Sequence, residues 1–326
     1  MANTPVTISL SACPICQQNT LYQTPHTCTD YVTKHTFTLL KCQACGCYIT
    51  QGLSQLPSAD YYGTAYYNSK AGKFSPLIET IFRFNHKRNA RFFYQHFHPK
   101  TILEIGCGRA YILRELKQLG VQVYCLESAG AAEWILQNKE VNVVSLSTEQ
   151  ENGWPFEPEF FQLIVFWHVF EHLSDPITAL EQATQVLEKG KVLCISVPNV
   201  SSFQAQLGLA TWFHLDVPRH LFHFSKNGLI ELLEKHDYEI IKVTSGDAIQ
   251  NLFGWFQSLA NLFTPSATNT LYRFLQGGTP WRTAAKLPLL IQVLTAIIWV
   301  PMGLIGYVIE EVTGRYGTVT VFAKKK

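Results

Sequence analysis

The sequence predicts an α/β fold organised around a parallel sheet of seven strands, and three observations predict it. Short apolar runs alternate with helical patterns from about residue 100 onward, the order that parallel strands joined by crossover helices require. The first run, Ile102-Leu103-Glu104-Ile105, breaks into Gly106-Cys107-Gly108. Glycines there let the backbone turn sharply and approach a ligand with no Cβ in the way, and the helical pattern beginning near Tyr111 aims its N-terminal amides at the same point. The next run, 121–126, ends on Glu127, where nucleotide-binding α/β folds place a ribose-binding carboxylate.

Taken in order, the chain opens with Cys13-Pro14-Ile15-Cys16 and Cys42-Gln43-Ala44-Cys45-Gly46, two C-x-x-C pairs at zinc-ribbon spacing. Each pair can grip one side of a tetrahedral ion, so Cys13, Cys16, Cys42 and Cys45 are the expected ligands of a structural zinc. The ion would supply stability that this polar segment lacks. Cys28, His26 and Cys47 are read as bystanders. A Tyr-rich connector (61–67) and an amphipathic helix over 76–97 follow. Strands are expected at 101–105, 121–126, 141–146, 163–167, 192–197, 238–243 and 318–323. Gly190 is expected to close a helix over 176–187, and Ser225 to cap one over 228–235.

With 47% hydrophobic residues the chain can fill a sizeable core, and a formal charge of +2 gives no field that would draw it to nucleic acid. Residues 1–10 lack the basic segment and apolar core of a signal peptide, so a cytoplasmic, reducing setting is expected. The nine cysteines then read as thiols or metal ligands.

The segment Trp167-His168-Val169-Phe170-Glu171-His172-Leu173-Ser174-Asp175-Pro176, with Val197-Pro198-Asn199 and the stretch from Trp212 to Ser225, resembles the class I S-adenosylmethionine-dependent methyltransferases. Within them it is similar to the EH-motif group that includes ubiquinone-type O-methyltransferases. The resemblance implies a seven-stranded Rossmann-like sheet, here with a small N-terminal zinc ribbon and a hydrophobic helical insertion between strands six and seven. It divides the chain into a zinc-ribbon-like segment (1–55), connector and helix (56–98), methyltransferase core (99–247), insertion (248–314) and final core strand (315–326). It implies S-adenosyl-L-methionine as cofactor, with Glu104, Gly106 and Gly108 at its amino acid moiety and Glu127 at the ribose hydroxyls. Two positions depart from the pattern: Ala110 stands where a third glycine is common, and Gln162 where an Asp often begins strand four.

Methyl transfer to a hydroxyl needs its proton removed, and histidine, largely neutral at cytoplasmic pH, suits that task. His172 at the carboxyl end of strand four, and His220 and His223 after strand five, are the candidates; each could instead be structural. His168, Glu171 and His172 also have a spacing reminiscent of the metal ligands of some O-methyltransferases.

The insertion carries no charge over 287–309, a stretch long enough to cross a bilayer, though Pro288 and Pro301 interrupt it. Pairing of the strands on either side brings both its ends to one side of any membrane, so a single crossing is excluded. A hairpin bending near Pro301, a helix lying flat on the surface, or a membrane-independent lid or dimer face remain, and 249–263 reads as an interfacial helix. Arg273, Arg282, Lys286 and Arg315 flank the run and could meet anionic headgroups. The expected function is methylation of a small or lipid-linked acceptor, glycan or isoprenoid in type, at the inner face of the cytoplasmic membrane, with peripheral or monotopic contact. The alternatives are an RNA methyltransferase gripping nucleic acid with its zinc ribbon, which the charge disfavours, and a non-catalytic membrane-attached module.

Overall fold

The computed structural model describes residues 12–51, 76–128, 141–146, 153–276 and 286–326. The Tyr-rich connector, residues 1–10, Arg282 and the His26 side chain lie outside the described residues. In chain order the elements begin with strands β1 (Leu21–Thr29), β2 (Thr36–Cys42) and β3 (Tyr48–Gln51) and helix α1 (Pro76–Phe97). There follow β4 (Thr101–Ile105), α2 (Tyr111–Gln118), β5 (Gln122–Ser128), β6 (Asn142–Leu146) and β7 (Phe161–Trp167). Next come α3 (Pro176–Val186), β8 (Leu187–Pro198), α4 (Phe203–Gly208), β9 (Phe222–His223), α5 (Lys226–Lys235) and β10 (Tyr238–Thr244). The chain closes with α6 (Ala248–Leu262), α7 (Thr270–Leu275), α8 (Lys286–Leu294), α9 (Ala296–Thr313) and β11 (Thr318–Lys325).

These elements form two compact units. One comprises Thr80–Val197, Ile230–Thr244 and Thr320–Lys326. Its sheet has the strand order β10-β11-β8-β7-β4-β5-β6. The pairs β7–β8, β4–β7, β4–β5 and β5–β6 are parallel, so the class is α/β as expected, but β10–β11 is antiparallel and the sheet is mixed rather than wholly parallel. Ile102, Leu103, Leu163, Ile164 and Val165 are fully buried, which is why β4 and β7 read as continuous apolar runs rather than alternating ones. Helix α2 buries Ile112, Leu113 and Leu116, each contributing roughly 1.5–3 kcal/mol by leaving water. The strand order reverses between β4 and β7, and in open α/β sheets ligands bind beyond the carboxyl ends of the strands at that point.

Gly190 does not close a helix. Helix α3 starts on Asp175, whose carboxylate accepts the Thr178 amide, and ends at Val186. The chain passes directly into β8, and Gly190 sits within that strand at φ 77. Gln162 accepts the Lys100 amide and donates to Glu188, a role confined to the base of the strand.

The other unit comprises Met1–Glu79, Pro198–Leu229 and Ser245–Val319. It holds a second sheet in the order β1-β2-β3-β9. The Asp30 side chain makes the turn between β1 and β2 by accepting the amides of Val32 and Thr33. The fourth strand is supplied from far along the chain: Phe222 and His223 pair with Ile49 and Tyr48. A two-residue strand leaves no periodicity to read, so the sequence reading has no counterpart for it.

The insertion also differs in detail from its sequence reading. Helix α6 is not interfacial, because its Asn251, Gln257, Ser258 and Asn261 are all buried. Its amides find partners: Gln257 accepts the Tyr272 amide, and Asn261 donates to the Thr211 carbonyl and to Asn269. Buried amides satisfied in this way specify one arrangement of the helices. Pro301 lies inside α9 rather than at a bend; the helix junction falls at Thr295. Gly303 and Gly306 let α9 approach α6 closely, since a Cβ at either would run into Phe256 or Trp255. The Glu310 carboxylate accepts from the Gln204 amide, the Gln204 side chain and the Gly317 amide, anchoring the end of α9.

Candidate active site

The glycine turn is built where β4 ends. Gly106 stands at φ 66, and a Cβ there would collide with the Val169 side chain, so the position admits only glycine. Gly108 stands at φ 51 with none of the described residues within 4 Å of where a Cβ would point, so among them that side of the turn is open to a ligand. Ala110 takes a left-handed φ of 53, a conformation that costs an alanine about 1–2 kcal/mol and explains why glycine suits the position. No side chain caps α2, leaving its first amides directed at the turn.

Two carboxylates meet this turn. Glu127 near the end of β5 accepts the Gly108 amide through Oε2 at 3.1 Å. Glu104, on the adjacent strand, is buried, and burial, reinforced by the nearby Glu127, pushes its carboxyl up to about 8. Its Oε2 is buried and has no hydrogen-bond partner among the described residues. An open glycine cradle, a ribose-height carboxylate and an orphaned buried acid fit the polar, cationic cofactor that the resemblance implies.

The raised Glu104 carboxyl has a testable consequence. Its folded value lies above its unfolded one, so the folded state holds the proton more tightly and the cofactor-free protein should lose stability as pH rises from about 4.5 to about 8. Glu104→Gln should remove that slope, which amounts to a few kcal/mol at about 1.4 kcal/mol per unit. Denaturant melts of both proteins at several pH values check this, and parallel profiles would refute it.

His172 lies in a 3-10 turn, Phe170–His172, that follows β7, and is half-buried. His168 Nδ1 faces Glu171 Oε1 at 3.7 Å, so two of the three residues with metal-like spacing are engaged with each other. His220 and His223 belong to the other unit and share Thr50. The Thr50 hydroxyl donates to the His220 carbonyl at 2.7 Å, so it must accept from His223 Nε2 at 3.0 Å. His223 therefore carries its proton on Nε2. His220 Nδ1 donates to the His214 carbonyl at 2.8 Å, which leaves its Nε2 as the basic nitrogen.

Arg219, between them in sequence, is fully buried. Its guanidinium donates to Asp216 Oδ1 at 2.6 and 2.8 Å and to Asp30 Oδ1 at 2.8 Å, and lies over the Tyr31 ring. The sequence allowed the flanking histidines a structural role, but nothing in it pointed to Asp30 as the partner of Arg219.

The four N-terminal cysteines converge, all buried, with their sulfurs within 4.8 Å of one another. Cys13 and Cys45 sulfurs lie 3.8 Å apart and those of Cys16 and Cys42 3.5 Å, as thiols rather than disulfides. A tetrahedral zinc with Zn–S near 2.3 Å would set its sulfurs about 3.8 Å apart, so the donor set fits. Burial opposes ionisation of Cys42, but hydrogen bonds from Thr20 and the Cys45 amide outweigh it and bring the thiol down to about 6. Cys28 is buried in an apolar cluster, which pushes its thiol up to about 12, and Cys47 contacts Ser225; both remain outside the cluster.

The expectation that all nine cysteines are thiols or ligands is overturned: Cys107 in the glycine turn is disulfide-bonded to Cys125 on β5. Parallel pairing sets Glu104 opposite Cys125, so the turn just beyond β4 falls beside that cysteine. Eighteen residues separate them in sequence, and only the strand register brings them together.

Fold and cradle together define a class I S-adenosylmethionine-dependent methyltransferase. A family model described as a methyltransferase domain matches residues 77–243, just over half of the chain, and the chain belongs to that family. Among solved structures the chain is similar to a putative sarcosine dimethylglycine methyltransferase from Galdieria sulphuraria, at 13% identity and TM-score 0.48, covering 82% of this chain and 97% of that one. It is similar also to a possible histamine N-methyltransferase from Thermotoga maritima (15% identity, TM-score 0.45, covering 77% and 92%). A third is an S-adenosylmethionine-dependent methyltransferase from Archaeoglobus fulgidus (17%, TM-score 0.45, covering 74% and 94%). No curated protein matches the chain.

Proposed function

We propose that the enzyme methylates a small or lipid-linked acceptor, of glycan or isoprenoid type, at the inner face of the cytoplasmic membrane. The observation that carries this reading is the outer face of α8 and α9, where Leu287, Leu294, Ile297, Ile305 and Val312 are each more than 60% exposed. Soluble monomers rarely expose so continuous an apolar surface. Helix α9 is 18 residues long, about 27 Å, and apolar enough to cross a membrane by length and composition. Antiparallel pairing of β10 with β11 returns both ends of the insertion to one side, which a flat or shallow seat in one leaflet satisfies. The buried amides of α6 support this, because they tie the inner side of the insertion to protein while the outer side of α8 and α9 is largely apolar. Each fully buried leucine or isoleucine would contribute roughly 1.5–3 kcal/mol to such contact.

S-adenosylmethionine, when bound, supplies an electrophilic methyl group. Gly106 and Gly108 would admit its amino acid moiety, Glu104 would face its positive charge, and Glu127 would accept the ribose hydroxyls. For a hydroxyl acceptor a base must take the proton. His172, which follows β7 of the sheet that carries the cradle, is the candidate in this reading and His220 the alternative; His223, a donor to Thr50, is structural. Cys13, Cys16, Cys42 and Cys45 would hold a structural zinc.

Mass spectrometry of membrane lipids and glycans from cells making either the active enzyme or a Glu127→Ala variant tests the reading. A species one methylene heavier should appear only with the active enzyme, and the enzyme should sediment with membranes. Methylation of a water-soluble acceptor alone, by an enzyme that stays in the supernatant, would refute it.

A further inference from the structure

We propose that the outer face of α8 and α9 recognises a bilayer through its hydrocarbon and not through the charge of its headgroups, so that loosely packed neutral lipid holds the enzyme as well as anionic lipid does. The inference rests on the reading of that face as a membrane seat. Helix α9 turns Trp299, Gly303, Gly306 and Glu310 inward. On the opposite side, at 3.6 residues per turn, an arc of about 160° runs from Leu304 through Ile297, Val312 and Ile305 to Met302. All five are exposed, and no position within the arc carries a charge or a hydrogen-bonding side chain. Helix α8 divides in the same way, exposing Leu287, Leu290, Val293 and Leu294 while it buries Leu289 and Gln292.

The cations that flank this face in the chain do not equip it for an anionic surface. Among the described residues, Arg315 donates to the Ser201 carbonyl at 3.2 Å and lies over the Phe203 ring. Arg273 donates to the Tyr31 carbonyl at 3.5 Å. Lys286, at the start of α8, is exposed, but Glu311 near the end of α9 is exposed too and cancels its charge.

A protein partner fits the face less well than lipid does. Protein interfaces are anchored on Trp, Tyr and Arg, with Leu and Val under-represented. Here Trp255 and Trp299 are buried, and the Trp299 indole donates to the Gln292 carbonyl, so what remains outside is aliphatic. Such a surface gains only from the area it can slip beneath the headgroups, which makes its binding depend on how loosely the acyl chains pack.

Flotation of the full-length enzyme with vesicles tests this, using dioleoylphosphatidylcholine, the same lipid with phosphatidylglycerol added, and gel-phase dipalmitoylphosphatidylcholine. A cation at an anionic surface would strengthen binding roughly fivefold. Adding phosphatidylglycerol, raising the salt, or Lys286→Gln should instead change it by less than about twofold. Binding to the gel-phase vesicles should be at least about tenfold weaker. Ile305→Asp puts a charge in the middle of the arc, at a side chain 61% exposed, and should weaken binding to the dioleoyl vesicles by at least about tenfold. Binding that needs phosphatidylglycerol or is lost in high salt, or equal binding to the gel-phase vesicles, overturns this inference and leaves the membrane seat standing. No binding to any vesicle, or an Ile305→Asp variant that binds as the wild type does, overturns the seat and the inference with it. In the first of those cases, a dimer in light scattering that Ile305→Asp dissolves would assign the face to a second copy of the chain.

Discussion

Replacing Arg219 with alanine should destabilise the unit that contains it by about 3–5 kcal/mol, the cost of leaving a buried partner charge uncompensated. The guanidinium is fully buried between Asp216 and Asp30, and the Asp30 side chain is equally inaccessible. Asp30 also builds the turn between β1 and β2 by accepting the Val32 and Thr33 amides, so an uncompensated charge there would act on the whole second sheet. Arg219→Lys should recover only part of the loss, because an ammonium cannot reproduce the forked contacts to two carboxylates. Burial alone would raise the Asp30 carboxyl, but Arg219 and the Thr33 contacts outweigh it and hold it below its usual value. A depressed folded value means the pairing stabilises the protein above the unfolded carboxylate range and is lost as pH falls through the folded one. The wild type should thus lose this increment only in acid, while Arg219→Ala lacks it at neutral pH. Denaturant unfolding at pH 7 and near pH 3 measures both; a variant within about 1 kcal/mol of wild type at neutral pH would show the pair to be dispensable.

Removing zinc should have a larger effect on the same unit. Structural zinc bound by four thiolates is worth about 10–16 kcal/mol in small domains, far more than β1, β2 and β3 gain from the few apolar side chains they bury. The purified enzyme should contain one zinc per chain. Strong chelation, or Cys42→Ser, should abolish amide-exchange protection across 12–51 while the parallel sheet keeps its own. Because β9 pairs with β3, exchange at Phe222 and His223 should accelerate as well. Less than half an equivalent of zinc in freshly purified enzyme would sink the assignment.

Much of the parallel sheet was legible in the sequence, for a physical reason. A strand buried on both faces must be apolar along its length, so 101–105 and 163–167 announce themselves, and a turn that admits only glycine must spell glycine. The convergence of the four N-terminal cysteines was legible likewise, since two C-x-x-C pairs at this spacing can bring their sulfurs to one point. What the sequence left open rests on contacts between distant residues. Asp30 with Arg219, and Thr50 with His220 and His223, leave no periodic trace, because hydrogen bonds between residues 170 to 189 positions apart impose no spacing on the chain. Helix α6 misled for a related reason: a surface of Gln and Asn reads as solvent-facing until the buried partners that satisfy it are in view.

The glycine turn joins both kinds of information. Gly106, Gly108 and Glu127 were determined by the sequence itself, since backbone conformation and the distance along one β-α-β unit are local quantities. Cys107, expected with the other cysteines to be a thiol or a ligand, acquires its partner only through the parallel register of β4 and β5. Register is set by the packing of the whole sheet, and so the cradle could be read from the chain but the bond across it could not.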